Sequence, residues 1–155
     1  MNIGIIVYSK TGNTFEVASR LKGVLEQKGH SINLERVTIE GKAKPGDKEV
    51  RLINIPAVES YEEVIFGSPV QAFSLAVAME TYLKQIPTLE GKEVSLFVTK
   101  HLPFAWTGGN RTLGQMEKIC KDKGAGVREK EIIFWNEKSR EETIKKCIAN
   151  LSSHF

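Results

Sequence analysis

The residues with the clearest chemical potential form one short polar segment near the amino terminus. They are Ser9, Lys10, Thr11, Gly12, Asn13 and Thr14, between an apolar run and a helical pattern. The segment offers three hydroxyls, an amide side chain and a glycine that permits a tight turn. At the start of a helix, such groups and the free backbone amides can bind a phosphate monoester without a metal. The spacing is neither that of a Walker loop nor that of a three-glycine dinucleotide motif.

A second interpretation of the same segment is purely structural. Asn13 is followed three residues later by Glu16, as in a capping box that satisfies the first amides of a helix. The six residues alone support both interpretations equally. The later segments of the chain decide between them.

The elements that must position this segment are short buried strands. Near-continuous apolar runs rich in β-branched or aromatic residues occupy residues 3–7, 64–66, 94–98 and 132–135. Runs of this kind are typical of parallel strands that are covered on both faces. Residues 31–37 alternate less regularly, which suits a strand at the edge of the sheet.

Helical patterns lie between and after these strands. Apolar residues repeat at the helical period from Val17 to Leu25, from Leu75 to Ile86, from Leu113 to Cys120 and from Ile144 to Leu151. Strands that alternate with helices predict an α/β fold. We expect one domain over residues 1–155, with a long irregular or extended connection at residues 38–60, where glycine and proline interrupt every pattern.

The predicted topology brings the polar segment together with two later loops. A doubly wound, five-stranded parallel sheet in the order 2-1-3-4-5 places helices on both faces. The strand order then reverses between strands one and three, and ligands bind outside the carboxyl ends of the strands at such a point. The segments 9–14, 68–73 and 99–110 all emerge there. The two cysteines, Cys120 and Cys147, fall on helices of opposite faces, so no disulfide is expected.

Three segments of the chain resemble the flavodoxin family. Residues 9–14 resemble its Thr/Ser-x-Thr-Gly-x-Thr phosphate loop. Residues 61–70, Tyr-Glu-Glu-Val-Ile-Phe-Gly-Ser-Pro-Val, resemble its third strand and the first flavin loop. Residues 91–99 and the glycine-containing loop up to Gly109 resemble its fourth strand and second flavin loop. The resemblance covers most of the chain except residues 38–60, and it implies FMN as the cofactor.

The resemblance also implies which residues bind the flavin. Apolar or aromatic side chains flank the ring in this family, and here Val70 and Phe73 from the first loop and Phe104 and Trp106 from the second could do so. Ser68, Gln71 and His101 are candidates for side-chain hydrogen bonds. The remaining expected cofactor-binding residues in these two loops are Pro69, Thr99, Gly108 and Gly109. No residue is expected to be catalytic, because the flavin itself would carry the redox chemistry.

Two features depart from the family pattern. Flavodoxins are typically acidic, whereas this chain has a sequence pI near 8.8, so its redox partner could itself be acidic. Many flavodoxins also have glycine or asparagine in the first flavin loop, where a peptide flip stabilises the one-electron-reduced flavin. Residues 69–73, Pro-Val-Gln-Ala-Phe, contain neither.

Composition excludes several other classes of protein. With 155 residues and a net charge of +3, the chain has no strong basic excess of the kind that marks a nucleic-acid binder. The two cysteines and three histidines lack the spacing of a zinc site or disulfide framework. No leader or membrane-spanning segment is evident, so a cytoplasmic, reduced location is expected.

Three functions remain open at this point. The first is an FMN-binding electron-transfer protein. The second is an FMN-dependent oxidoreductase that takes hydride from NAD(P)H and reduces a quinone or another small acceptor. The third is a flavin-free binding or regulatory module on the same fold. Replacing Thr11 and Thr14 with alanine should weaken FMN binding under the first two. The sequence does not distinguish a monomer from a dimer.

Overall fold

The computed structural model describes residues 1–44, 46–101, 107–135, 138 and 140–155. Its strands are β1 (Asn2–Val7), β2 (Ser31–Arg36), β3 (Thr38–Ile39), β4 (Leu52–Asn54), β5 (Glu63–Gln71), β6 (Ser74–Leu75), β7 (Glu93–Lys100) and β8 (Gly126–Phe134). Its helices are α1 (Asn13–Gln27), α2 (Val77–Gln85), α3 (Gly109–Asp122) and α4 (Arg140–Ser152). None of the helices described is both long and apolar enough to cross a membrane.

The main sheet has the predicted strand order. Its five parallel strands lie in the order β2-β1-β5-β7-β8, which confirms the order 2-1-3-4-5 expected from the sequence. From β1 the chain adds β2 on one side of the sheet and then β5 on the other side, so the strand order reverses between β1 and β5. The carboxyl ends of these two strands border a crevice at this point. The short strand β6 pairs antiparallel with the end of β5 and was not predicted.

The two faces of the sheet carry separate apolar cores. On one face, α1 and α4 pack on Ile3, Ile5 and Ile65. On the other, α2 and α3 pack on Ile6 and Phe66. Adjacent residues of a strand point to opposite faces, so the apolar runs are explained by two-sided burial.

The cysteines follow this division of the two cores. Cys120 lies in the core beneath α3, and Cys147 lies in the core beneath α4. Both are free thiols, as the sequence predicted.

Residues 38–60 include two short paired strands within otherwise irregular backbone. β3 and β4 form a small antiparallel sheet in which Thr38 faces Asn54. Pro56 and Val58 are buried, and the Tyr82 hydroxyl on α2 donates a 2.6 Å hydrogen bond to the Pro56 carbonyl. These contacts hold the segment against α2.

Three predicted element boundaries were wrong. The sequence predicted a loop from Ser68, but β5 continues through Gln71. The strand is longer because β5 pairs with β7 as far as Pro69, and Val70 and Gln71 then pair with β6. β7 likewise extends to Lys100. β8 begins at Gly126, six residues earlier than expected, and its first part carries exposed charged residues because it lies at the edge of the sheet.

Candidate functional site

A cavity of about 530 Å³ opens at the crevice where the order of the strands reverses. Residues after β1, at the end of β5 and at the end of β7 line it, as the topology predicted. The sequence-predicted residues in its wall are Lys10, Thr11, Asn13, Pro69, Val70, Gln71, Thr99 and His101. Its volume lies within the range of small-molecule and cofactor sites.

The loop between β1 and α1 is organised around one hydroxyl oxygen. Ser9 Oγ accepts hydrogen bonds from the amides of Gly12, at 3.2 Å, and Phe15, at 3.3 Å. Gly12 has φ +95°, a left-handed conformation that favours glycine, and it is the residue that precedes the helix. The backbone amides at the amino terminus of α1 therefore converge on a single acceptor position, as they would on an oxygen of an anion.

The capping-box interpretation of Asn13 was wrong. Gly12, not Asn13, is the N-cap of α1, and the side-chain oxygen that accepts from a first-turn amide is that of Ser9. Asn13 is instead the first helical residue and lines the cavity.

Two buried threonines join the first loop to the end of β7. The hydroxyls of Thr14 and Thr99 lie 2.9 Å apart, and the two residues are only 1% and 3% exposed. Each buried hydroxyl therefore has a hydrogen-bonding partner. The pair fixes the start of α1 relative to the floor of the cavity.

A tight hairpin connects β5 to β6 beside the cavity. Its two turn residues, Ala72 and Phe73, have φ values of +48° and +61°, which is strained for residues other than glycine and asparagine. The Gln115 side chain on α3 holds the hairpin by accepting hydrogen bonds from the Leu75 amide, at 2.9 Å, and the Ser74 hydroxyl, at 3.0 Å. The Phe73 side chain is 57% exposed and lies outside the cavity wall.

The two predicted glycines lie at the start of α3, against the other elements of the site. Gly108 has φ +110°, and a Cβ there would lie only 2.6 Å from Phe73 Cα. The close approach it permits is therefore to the hairpin backbone. A Cβ at Gly109 would lie 2.9 Å from the Cδ1 atom of Ile132. Neither glycine lines the cavity, but a larger residue at Gly108 would displace the hairpin beside it.

A buried cation lies at the carboxyl end of β7. Lys100 is only 4% exposed and lines the cavity. Its Nζ atom contacts the Thr107 hydroxyl and lies 5.5 Å from the centre of the Phe134 ring. Burial lowers the pKa of this ammonium group from its ordinary value. A positive charge held in this way would favour an electron-rich ligand.

Comparison with known proteins assigns the family. A sequence model described as a flavodoxin domain matches residues 4–118, well over half of the chain. The chain belongs to the flavodoxin family. No curated protein matches the sequence.

Solved flavodoxins have the same fold as this flavodoxin-family chain. Oxidised flavodoxin 1 from Bacillus cereus superposes with a TM-score of 0.72 at 19% identity, covering 100% of this chain and 99% of its own. Flavodoxin 2 of that organism gives 0.71 at 20% identity, with both chains fully covered. Fusobacterium nucleatum flavodoxin bound to flavin mononucleotide gives 0.65 at 18% identity, over 99% and 98% of the two chains.

Some residues predicted for the site do not line the cavity, and others lie outside the residues that the structure describes. Ser68 is fully buried, and its hydroxyl donates to the carbonyl of Pro69. Phe104 and Trp106 lie outside the described residues.

Beside Ser74, Leu75, Val77 and Glu80 of β6 and α2, two further parts of the cavity wall were not predicted from the sequence. The first is formed by Ala43, Lys44, Gly46 and Asp47 of the irregular connection. No motif in the sequence indicated this segment. The second is Lys100, which could have been noticed as a charged residue that ends a fully buried strand.

Proposed function

We propose that this flavodoxin-family chain binds FMN in the cavity and carries electrons between redox proteins. The observation that carries the proposal is the cavity at the reversal of strand order, whose wall includes Lys10, Thr11 and Asn13 of the loop that leads into α1. The solved flavodoxin from F. nucleatum, whose structure contains flavin mononucleotide, supports the same cofactor. We assign the phosphate of FMN to the loop 9–14 on these grounds.

The groups in the first loop suit a phosphate monoester. The exposed hydroxyl of Thr11 and the amide side chain of Asn13 both line the cavity next to the converging backbone amides. Phosphate oxygens accept several hydrogen bonds at once, and the helix dipole adds a favourable field. Such a site needs no metal.

The opposite part of the cavity suits a flat, partly apolar ring. Pro69 and Val70 supply apolar surface, and the side chain of Gln71 supplies donors and an acceptor. Phe104, Trp106 and Phe73 stay candidates for side chains that flank the ring.

FMN, when bound, supplies the reversible uptake of one or two electrons. The protein then has to bind the cofactor, keep water from the ring and set the charge around it. Lys100 provides a buried positive charge in the wall. Because a nearby cation favours the more negatively charged form of any redox group, Lys100 would raise the reduction potential.

The net charge of the chain favours an acidic partner. Lys10 and Lys44 are exposed at the cavity rim beside the carboxylates of Asp47 and Glu80, and the whole chain has a net charge of +3. Complementary charge accelerates the encounter of redox proteins and sets their orientation. We therefore infer that electrons are exchanged with proteins whose docking surface is acidic.

A two-part kinetic assay tests the carrier function. The FMN-loaded chain is mixed with NADPH and an acidic cytochrome, once alone and once with a catalytic amount of an NADPH-oxidising flavoprotein reductase that does not itself reduce that cytochrome. A carrier reduces the cytochrome rapidly only when the reductase is present. Rapid oxidation of NADPH by the chain alone, with the cytochrome or a quinone as acceptor, would contradict the carrier function and support an FMN-dependent oxidoreductase.

A further inference from the structure

The end of β2 lies beside the phosphate-binding loop. β1 and β2 are parallel, and Val7, the last residue of β1, is paired with Arg36, the last residue of β2. The next amide, that of Val37, donates a 2.8 Å hydrogen bond to the Val7 carbonyl. Arg36 therefore leaves the sheet at the same edge as the loop that begins at Ser9.

The guanidinium of Arg36 contacts both ends of that loop. Its Nη2 donates a 3.3 Å hydrogen bond to the Ser9 carbonyl, and its Cζ lies 4.6 Å from the centre of the Phe15 ring. Ser9 and Phe15 are also the residues whose hydroxyl and amide meet inside the loop. The position of Arg36 is fixed further by Asn54 on β4, whose side-chain amide donates to the Arg36 carbonyl at 2.5 Å.

We propose that Arg36 is an electrostatic anchor for the phosphate of the bound flavin, an inference that rests on the proposed function. The hydroxyls and amides of the loop are neutral, and its one cationic side chain, Lys10, is exposed at the cavity rim. The only acidic residue in the first turn of α1, Glu16, is paired with Arg20 at 3.1 Å. Arg36 adds a permanent cation next to the loop, and arginine is always protonated at physiological pH.

The anchor has two consequences for ligand choice. It strengthens the binding of a flavin that carries a phosphate, and it leaves the binding of riboflavin unchanged because riboflavin has no charge at that end. The attraction between a cation and a nearby phosphate dianion in water is enough to change an affinity about five- to tenfold. Because Arg36 is exposed, salt must weaken the attraction.

The test compares two arginine variants of the full-length chain freed of flavin. Arg36→Gln removes the charge next to the loop. Arg51→Gln is the matched control, because it makes the same change in net charge at a side chain that is 85% exposed and is paired with Glu40. Affinities for FMN and for riboflavin are measured by flavin fluorescence titration in low salt and in about 1 M salt, where the Debye length falls to about 3 Å.

We expect Arg36→Gln to weaken FMN binding about five- to tenfold in low salt and far less in high salt. Its riboflavin affinity should match that of the unmodified chain, and Arg51→Gln should change neither affinity. Equal weakening of FMN and riboflavin would overturn the anchor role, because a structural defect affects both ligands. Unchanged FMN affinity in Arg36→Gln would overturn it as well. If the unmodified chain fails to bind FMN, the proposed function itself is wrong.

Discussion

Replacing Gly108 with alanine tests how the hairpin and the second loop are held together. The substitution has two separate costs. Alanine in a left-handed conformation costs about 1–2 kcal/mol, and Gly108 has φ +110°. In addition, the new Cβ would lie 2.6 Å from Phe73 Cα and 2.8 Å from its carbonyl carbon. These are backbone atoms and cannot rotate away, so overpacking should cost a further ~1–3 kcal/mol.

Gly29 provides a matched control for the first of these costs. It has a similar φ of +94°, but a Cβ added there would meet no atom within 4 Å. Gly29→Ala should therefore lower the free energy of unfolding by about 1–2 kcal/mol. Gly108→Ala should lower it by about 2–5 kcal/mol, the sum of both costs. The free energies are measured by urea unfolding followed by circular dichroism.

The same two variants separate stability from ligand binding. Val70 and Gln71 of the cavity wall precede the hairpin turn that Gly108 contacts. We expect Gly108→Ala to weaken FMN binding at least about tenfold, which corresponds to 1.4 kcal/mol, while Gly29→Ala leaves it unchanged. Equal losses of stability in the two variants would refute the close approach of Gly108 to the hairpin.

Further predictions concern buried polar groups. Thr14→Val should lower the free energy of unfolding by about 1–2 kcal/mol because it leaves the Thr99 hydroxyl without its partner at 2.9 Å. Adding Thr99→Val should recover part of that loss in a double-mutant cycle. Because the folded-state pKa of Lys100 is lowered, this group adds an increase in stability as the pH rises toward 10.5, against the decrease that the raised pKa values of the Cys120 and Cys147 thiols cause. Lys100→Met should lack this increase when unfolding is measured at stepped pH; an equal slope would argue against a buried ammonium. Burial raises the pKa of Cys120 and Cys147 to about 12, so neither thiol should react with Ellman's reagent at pH 8 until urea unfolds the chain.

The sheet could be predicted because its central strands are buried on both faces. The runs at residues 3–7, 64–66 and 94–98 have few polar residues, and the alternation with helices then restricts the topology to a few possibilities. The strand ends could not be predicted in the same way. Ser68 and Gln71 extend β5 only because β7 and β6 offer partners to their backbone, which no local pattern reveals.

The part of the candidate site that could be predicted is the part that depends on a local motif and on the strand order. The loop 9–14 could be placed because a glycine, hydroxyls and a helix start occur together after a buried strand. Lys44 reaches the cavity through an irregular segment whose path depends on long-range contacts such as that between Tyr82 and Pro56. Arg36 reaches the loop through the pairing of β1 with β2, which has no signature within the residues around it.

Titration of FMN with the full-length chain tests the central claim most directly. The unmodified protein is compared with Thr11→Ala, in which an exposed hydroxyl of the cavity wall is removed with little cost to the fold. We predict that flavin fluorescence is quenched at one FMN per chain and that the variant binds more weakly, by about the value of one hydrogen bond to a charged group, 1.5–3 kcal/mol. Absence of quenching, or equal affinity of the variant, would contradict the assignment of residues 9–14 as the phosphate-binding loop.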